Sequence, residues 1–199
     1  MVDILIGVCA LPFVFLVIIL FGSIIYITDK GPIFYNSERL GKDGKTFKMY
    51  KLRSMKMNAP DIRNSDGSTF NGDNDPRVTR IGRFLRKTSL DELPQFINVF
   101  IGNMSIVGPR PFLTTHYYGF ERLSEPMKKR LRVRPGITGY SQAYYRNSIS
   151  QEQKILNDVY YVEHVSFLLD CKIILKTIKS VVKSENIYVS ENSKPESKK

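Results

Sequence analysis

Two adjacent carboxylates, Asp91 and Glu92, follow a basic segment and precede a proline in the stretch KTSLDELPQF. An aspartate can attack phosphorus, and a second carboxylate beside it can hold a divalent cation. Neighbouring residues on a helix point about 100° apart, because a turn holds about 3.6 residues. The two carboxylates therefore cannot share one site, but they can carry two different tasks in phosphoryl chemistry.

The same stretch also has a purely structural interpretation. Ser89 and Glu92 have the spacing of a capping box, with Ser89 as the helix N-cap and Glu92 as the third helical residue. Acidic residues in a first turn also suit the helix dipole. The local pattern alone favours this interpretation. It does not exclude the chemical one, because a helix start attracts phosphate.

Cationic side chains surround the two carboxylates in the sequence. Arg86 precedes them, and Arg110 lies in GPRP, whose prolines predict a rigid loop. Cations and a bound magnesium ion would offset the negative charge of phosphates at such a site.

The chain has 199 residues and a net charge of +11, which also predicts anionic partners. Its two cysteines form no disulfide or zinc pattern, which favours a reducing compartment.

The segment from Ile4 to Ile27 is uncharged. As a helix it is long enough to cross a hydrocarbon core of about 30 Å, which predicts a membrane segment. Pro12 inside it removes a backbone hydrogen bond. The residues leave open a kinked spanning helix and a helix–break–helix that returns to the same face. Because most of the later charge is basic, we expect residues 28–199 in the cytoplasm.

Local patterns predict the remaining elements. A turn at Asp43–Gly44, followed by alternating apolar and basic residues, predicts a β-hairpin. A new helix is expected after Ser89, with Gly102 as its stop. Residues 58–76 are polar and rich in glycine and aspartate, which predicts a loop. Arginines that recur every three residues predict a basic stripe on a helix: Arg77, Arg80, Arg83 and Arg86.

The segment 148–183 has the periodicity of two helices. The second, about Phe167 to Lys183, carries apolar residues and regularly spaced lysines. It would suit either a helix in a membrane interface or one packed on the protein core. We expect three parts in the chain: a membrane helix over 1–28, a cytosolic domain over 29–183 and a polar flexible tail over 184–199.

Motifs along nearly the whole chain resemble those of the bacterial sugar transferases, the small monotopic phosphoglycosyl transferases. They are GPIFYNSERLG, FKMYKLRSM, DPRVTRIGRFLRKTSLDELPQFINVFIGNMSIVGPRP, RVRPGITGYSQ, RNSIS, DVYYV and SFLLDCKIILKTI. The fold expected is α+β and predominantly helical. It has an apolar N-terminal helix that is re-entrant and broken at Pro12, and a compact cytosolic domain with a short β-hairpin and interfacial amphipathic helices.

The resemblance implies a reaction at a membrane. A sugar phosphate would pass from a UDP-sugar to polyprenyl (undecaprenyl) phosphate, releasing UMP, as the first step of a surface polysaccharide or glycoprotein glycan. Partners would be these two substrates and membrane lipids, not nucleic acid, and a homo-oligomer is left open. The location implied is the bacterial inner membrane, with the catalytic domain on its cytoplasmic face.

The resemblance also implies residue roles. Asp91 would be the nucleophile that forms a covalent phospho-sugar intermediate, and Glu92 would bind Mg²⁺. Positions that match the family's polar residues around the phosphates and the nucleotide are Lys51, Arg53, Arg86, Arg110, Arg146, Asn147 and Asp158.

The chief alternative function is a membrane-anchored basic module that binds nucleic acid or anionic lipid through the arginine stripe and KKRLRVR. It predicts that Asp91 is dispensable and that binding weakens steeply with salt. An aspartyl-phosphate phosphatase is disfavoured, because the usual Asp-x-Asp strand motif is absent from the sequence.

Overall fold

A computed structural model of the chain describes residues 2–62, 70, 72, 75–114, 118–145 and 148–182. Its α-helices are α1 Val2–Asp29, α2 Arg80–Thr88, α3 Gln95–Phe100, α4 Glu125–Arg130, α5 Tyr140–Tyr144, α6 Gln151–Glu163 and α7 Phe167–Val182. Its strands are β1 Ser37–Leu40, β2 Thr46–Met49, β3 Ser105–Val107 and β4 Gly136–Thr138. Short 3₁₀ turns lie at Lys42–Gly44, Leu90–Glu92 and Phe120–Arg122. The predicted α+β, mainly helical class is confirmed. The expected tail over 184–199 and most of the loop over 58–76 lie outside the described residues.

The β-hairpin is confirmed. β1 and β2 pair antiparallel, with Leu40 opposite Thr46, and the 3₁₀ turn joins them. Asp43 has a φ of 55° and Gly44 a φ of 75°, the left-handed conformation that aspartate and glycine tolerate best. The alternation of the sequence places Phe47 and Met49 in the core.

A second pair of strands was not predicted. β3 and β4 pair in parallel, although a rigid loop was expected around this segment. Each strand has only three residues, too few for a visible period of two. The backbone of Gly136 lies very close to that of Gly108. Only glycine permits this, because a Cβ at Gly136 would lie 2.1 Å from the backbone nitrogen of Gly108.

The apolar helix α1 runs without interruption through Pro12, so the break predicted at Pro12 is absent. Pro12 lies on an exposed side of α1, whereas Val14 and Val17 are buried. Proline removes one backbone hydrogen bond from the helix. The packing of Val14 and Val17 on the domain can compensate for that loss and keep the helix continuous. The re-entrant path stays a prediction.

Both ends of α1 contact the same domain. The Asp3 carboxylate accepts hydrogen bonds from Ser105 Oγ at 2.8 Å and from the Ile106 backbone nitrogen at 3.1 Å. At the other end, Arg53 Nη1 lies 2.6 Å from Asp29 Oδ2. A helix of 28 residues is about 40 Å long. The domain therefore contacts α1 at two widely separated points.

The exposed surface of α1 is apolar. Its mean hydropathy is 3.1 over the most apolar window, and only 17% of that window is buried. A core helix of a soluble domain would be covered on most sides, so this helix is suited to a membrane. Its packed face joins the core of the domain through Val17 and Ile25, which cluster with Leu52 and Leu85.

Helix α2 begins and ends at clear caps. The Thr79 hydroxyl accepts a hydrogen bond from the Gly82 backbone nitrogen at 2.9 Å. Ser89 is its C-cap, with a φ of 59°. The capping box predicted at Ser89 is therefore wrong, because a residue in the left-handed conformation that closes one helix cannot also be an extended N-cap. The next helix, α3, follows Pro94, and Gly102 ends it with a φ of 84°.

The arginine stripe is shorter than predicted. Arg80, Arg83 and Arg86 lie on α2, but Arg77 precedes the helix and is 5% exposed. Its Nη2 lies 2.7 Å from Oδ2 of the buried Asp75. A buried guanidinium needs such a partner, so Arg77 is a structural residue and not part of a basic surface.

Helices α6 and α7 confirm the two helices expected over 148–183. Ile173 on α7 is fully buried, so one face of this helix packs on the core. The opposite face leaves large apolar side chains exposed, and these are Phe167, Leu168, Leu175 and Ile178. The two alternatives for α7 are thus compatible, because an amphipathic helix can pack on one side and face lipid on the other.

Replacing Gly82 by alanine tests how tightly α2 packs on the segment that carries Lys51. A Cβ at Gly82 would lie 1.9 Å from the backbone oxygen of Ser54. Alanine gains about 1 kcal/mol of helix propensity, but backbone cannot move aside as a side chain can. We expect Gly82→Ala to destabilise by about 2 kcal/mol and to lower the melting temperature by about 4 to 8 °C.

The matched control is Arg83→Ala on the exposed side of the same helix. Its stability should change by no more than about 0.5 kcal/mol. Equal melting temperatures for Gly82→Ala and the wild type would contradict the close approach.

Candidate active site

Lys51 lies just after β2, where Asn98 of α3 fixes the backbone. The Asn98 side chain accepts a hydrogen bond from the Tyr50 nitrogen at 2.9 Å and donates one to the Lys48 oxygen at 2.8 Å. One residue after Lys51, the Leu52 backbone nitrogen donates a hydrogen bond to the backbone oxygen of Asp91 at 2.9 Å. Asn98 is completely buried, so this connection is shielded from water. It sets Lys51 directly against the turn that carries Asp91.

The two carboxylates lie on the 3₁₀ turn Leu90–Glu92 and share one ammonium group. The expectation that they cannot share one site is therefore wrong, because a single long lysine side chain reaches both. Lys51 Nζ is 2.9 Å from Asp91 Oδ2 and 3.2 Å from Glu92 Oε1. Asp91 is only 2% exposed, whereas the Glu92 side chain is 21% exposed. Asp91 is thus the more buried of the two carboxylates, and Glu92 is the one that contacts solvent.

Arg110 completes the cluster from the GPRP loop. Its guanidinium donates to both oxygens of Glu92, with Nη2 2.6 Å from Oε1 and Nη1 3.3 Å from Oε2. Two parallel hydrogen bonds of this kind fix the orientation of a carboxylate. The Arg110 side chain is 50% exposed, so it can also meet a ligand from solution. We define the active-site cluster as Lys51, Asp91, Glu92 and Arg110.

Attraction between opposite charges keeps the groups of this cluster ionised although they are largely buried. Burial opposes a charged Lys51, but Asp91 and Glu92 raise its pKa above the usual range. Burial also opposes a charged Glu92, but Arg110 and Lys51 hold its pKa well below the usual range. Glu92 in turn raises the pKa of Arg110. These three groups therefore stay charged near neutral pH, and the cluster presents two cations beside two carboxyl groups.

The cluster suits a hard cation that also binds phosphate. Magnesium is usually held by one or two carboxylates together with substrate phosphates. Asp91 and Glu92 supply such oxygens, and a metal ion at Glu92 would compete with its contacts to Lys51 and Arg110. Within the described ranges, no group of three or more histidine, cysteine or acidic residues forms a complete metal site. The residues fit a Mg²⁺ that arrives with a phosphate ligand.

Two predicted phosphate-binding residues lie outside the cluster. Arg53, 6% exposed, pairs with Asp29 at the end of α1. Arg86 donates from Nε to Ser54 Oγ at 2.9 Å. The structure thus pairs Arg53 with the end of α1 and Arg86 with the segment after β2, and it brings neither to the carboxylates.

Of the three remaining predicted positions, the structure describes Asp158 but not Arg146 and Asn147. Asp158 on α6 is 2% exposed and forms an ion pair with Arg130 of α4. Burial raises the pKa of Asp158 and lowers that of Arg130. Arg146 and Asn147 lie outside the described residues, so their predicted role is untouched by the structure.

Sequence reasoning missed Asn98 and Arg130. Asn98 is a helical residue without a motif of its own, and only its contacts to Tyr50 and Lys48 reveal its role. Arg130 was one cation among several in KKRLRVR. Its position as the last residue of α4 and its burial distinguish it from its neighbours, and neither can be derived from composition.

Removing Lys51 should expose the cost of burying Asp91. In Lys51→Met the Asp91 carboxylate loses its ion-pair partner, and we expect a loss of about 3 kcal/mol of stability. The raised pKa of Lys51 means that its contribution is complete below the usual lysine pKa and is lost only as pH rises through the raised value. The lowered pKa of Glu92 means that its contribution is lost only in acid. The stability difference should therefore be flat between about pH 6 and pH 9.

Thermal melts of both proteins across this range would check the prediction. The control is Lys48→Met, which removes an exposed lysine from the same hairpin and should leave the melting temperature nearly unchanged. A difference that disappears inside the range would show that Lys51 loses its proton there.

Comparison with known proteins places this chain in a family. The family model for bacterial sugar transferases matches residues 1–184. An uncharacterized sugar transferase, EpsL, of Bacillus subtilis is 42% identical over 172 residues, which cover 86% of this chain and 81% of that protein.

Two named transferases are also similar. The UDP-glucose:undecaprenyl-phosphate glucose-1-phosphate transferase of Escherichia coli is 42% identical over 157 residues, or 76% of this chain and 33% of that enzyme. The galactosyl transferase CpsE of Streptococcus agalactiae is 43% identical over 162 residues, or 77% and 35%. The chain spans about a third of the length of these two relatives. The match over residues 1–184 and the identity with EpsL show that this chain belongs to the bacterial sugar transferase family.

Proposed function

We propose that this chain transfers a sugar phosphate from a UDP-sugar to polyprenyl phosphate and releases UMP, with Asp91 as the nucleophile. The observation that carries the proposal is the active-site cluster, in which a buried aspartate meets Lys51 at 2.9 Å beside a glutamate held by Arg110. Relatives named as undecaprenyl-phosphate sugar phosphotransferases support the reaction class.

In the first half-reaction an Asp91 carboxylate oxygen attacks the phosphorus bonded to the sugar. An oxygen–phosphorus bond forms at Asp91, and the bond to the bridging oxygen of the diphosphate breaks, so that UMP leaves with the electron pair. Asp91 then carries the sugar phosphate as an acyl phosphate and has lost its own negative charge. Lys51 contacts Asp91 and Arg110 contacts the neighbouring Glu92, so both cations would be available to stabilise the charge of that phosphate.

In the second half-reaction an oxygen of polyprenyl phosphate attacks the same phosphorus. The bond to Asp91 breaks, its carboxylate is restored, and the product is a lipid-linked sugar diphosphate. Glu92 would be the protein ligand of Mg²⁺, which when bound offsets the negative charge of the phosphates. Before substrate arrives, Lys51 and Arg110 hold Glu92 in a fixed orientation.

The lipid acceptor explains why the cluster lies in a domain with an exposed apolar helix. Both ends of α1 contact that domain, so a lipid phosphate at the membrane surface could reach the cluster without crossing the bilayer. We infer a site on the cytoplasmic face of the bacterial inner membrane, where UDP-sugars are available. The large apolar side chains on the outer face of α7 would meet the same surface.

Changing the nucleophile gives the most direct test. Asp91→Asn keeps the shape of the side chain but removes its negative charge, so it should abolish UMP release and leave the melting temperature within a few degrees. The assay uses the chain in nanodiscs with Mg²⁺, polyprenyl phosphate and a panel of UDP-sugars, which would also identify the sugar. The matched control is Asp43→Asn in the exposed hairpin turn, which should retain full activity.

Appreciable turnover by Asp91→Asn would remove it as the nucleophile. If the wild type releases no UMP from any sugar while a control transferase does, the basic binding module becomes the better proposal. That alternative then predicts lipid or nucleic-acid binding that weakens steeply with salt.

Changing Glu92 should alter the metal dependence. Glu92→Gln keeps the size of the side chain but weakens a charged oxygen ligand, so the Mg²⁺ concentration for half-maximal UMP release should rise about tenfold. The measurement is a Mg²⁺ titration of turnover at saturating UDP-sugar. Glu121→Gln, which alters an exposed glutamate, should titrate like the wild type. An unchanged Mg²⁺ midpoint with normal turnover would show that Glu92 is not a metal ligand.

A further inference from the structure

Arg130 is a buried cation that touches the back of the GPRP loop. It is the last residue of α4 and is only 2% exposed. Its Nη2 donates to the backbone oxygen of Arg110 at 2.8 Å. Its guanidinium carbon also lies 4.1 Å from the centre of the Phe112 ring. One side chain thus contacts the loop at the backbone of Arg110 and again two residues later.

Asp158 holds Arg130 in this position. The carboxylate accepts from Arg130 Nε at 3.0 Å and also from Nη2. Its other oxygen lies 3.2 Å from Ser141 Oγ, which belongs to α5. The network therefore joins α4, α5 and α6 below the loop. With both oxygens engaged by protein groups and 2% exposure, Asp158 has little surface for a nucleotide.

The energetics argue against stability as the sole reason for this ion pair. Moving both charges out of water costs several kcal/mol, and well-packed apolar residues at such sites are often as stable or more so. A buried guanidinium is distinguished by its directional donors, which here reach two acceptors at once. The pair is suited to fixing the backbone geometry of the loop.

Arg110 depends on that geometry more than most residues would. Pro109 and Pro111 flank it, so the φ angles on both sides are fixed. The direction of its side chain then follows from how the loop is held. That side chain makes the two hydrogen bonds that orient Glu92.

We propose that Arg130 is a positioning residue for Arg110, with Asp158 as its counter-ion. The inference rests on the proposed transferase function. Arg130 meets neither substrate. It holds the Arg110 backbone so that the guanidinium meets Glu92 and the phosphate at the reacting centre.

A double-mutant cycle tests this proposal. The Arg130→Met, Asp158→Asn pair removes the network without leaving a buried charge, and it should lower kcat about 10- to 100-fold, since small displacements at a reacting centre have effects of this size. Arg110→Ala alone should lower kcat by a similar factor. Because the network acts through Arg110, adding the pair to Arg110→Ala should cause no further loss.

A merely structural role predicts a different result. If the network only supports the fold, the pair should lower kcat by the same factor in both backgrounds, and that multiplicative result would overturn the proposal. If the pair does not fold, Arg130→Lys gives the same comparison. Lysine keeps the charge beside Asp158 but has one nitrogen, so we expect a loss that again disappears in the Arg110→Ala background.

The matched control is Lys129→Ala on the same helix. It removes an exposed ion pair with Glu163, at 3.0 Å, that also joins α4 to α6 but does not touch the loop. Its kcat should equal that of the wild type. Absence of UMP release from the wild type would count against the transferase function itself, whereas turnover with multiplicative losses would count against Arg130 alone.

Discussion

The interaction on which the rest of the site depends is the sharing of one ammonium group by two adjacent carboxylates. Lys51 lies within 3.2 Å of both Asp91 and Glu92. Two acidic side chains side by side, one of them almost fully buried, would repel each other without a cation between them. The cation must come from a different part of the chain, since the turn itself carries none. The β2 segment, the Asn98 contacts and the tight packing of α2 can therefore be understood as the means of holding Lys51 at that turn.

The same arrangement suits the charge balance that the proposed phosphoryl transfer would need. With two cations beside two carboxyl groups, the cluster is nearly neutral before substrate arrives. In the proposed reaction, an acyl phosphate at Asp91 would remove one negative charge there, and the transferred phosphate would bring its own. The cations would then need only to change partners, which would limit the reorganisation that the reaction requires. Arg110 is half exposed and Lys51 mostly enclosed, so substrate would meet the arginine first.

The apolar helix α1 and the domain that carries the active-site cluster pack together. Val17 and Ile25 of α1 belong to the same cluster as Leu52, next to Lys51. Asp29 also holds Arg53, one residue further along. The position of α1 and the alignment of the site are therefore connected, because the segment that carries Lys51 packs directly on α1.

What the sequence by itself determined was local. The hairpin, the apolar helix and the helices over 148–183 follow from turn residues and hydrophobic periods, which act over a few positions, and the dyad Asp91–Glu92 was visible as a motif. Among the predicted cations, only the tertiary structure decided that Lys51 and Arg110 meet the carboxylates while Arg53 and Arg86 hold Asp29 and Ser54. It also decided that Ser89 ends a helix, that β3 pairs with β4, and that Asp158 faces Arg130. The physical reason is that the partner of a charge is the group that packing brings within a few ångströms, and packing joins residues that lie far apart in the chain.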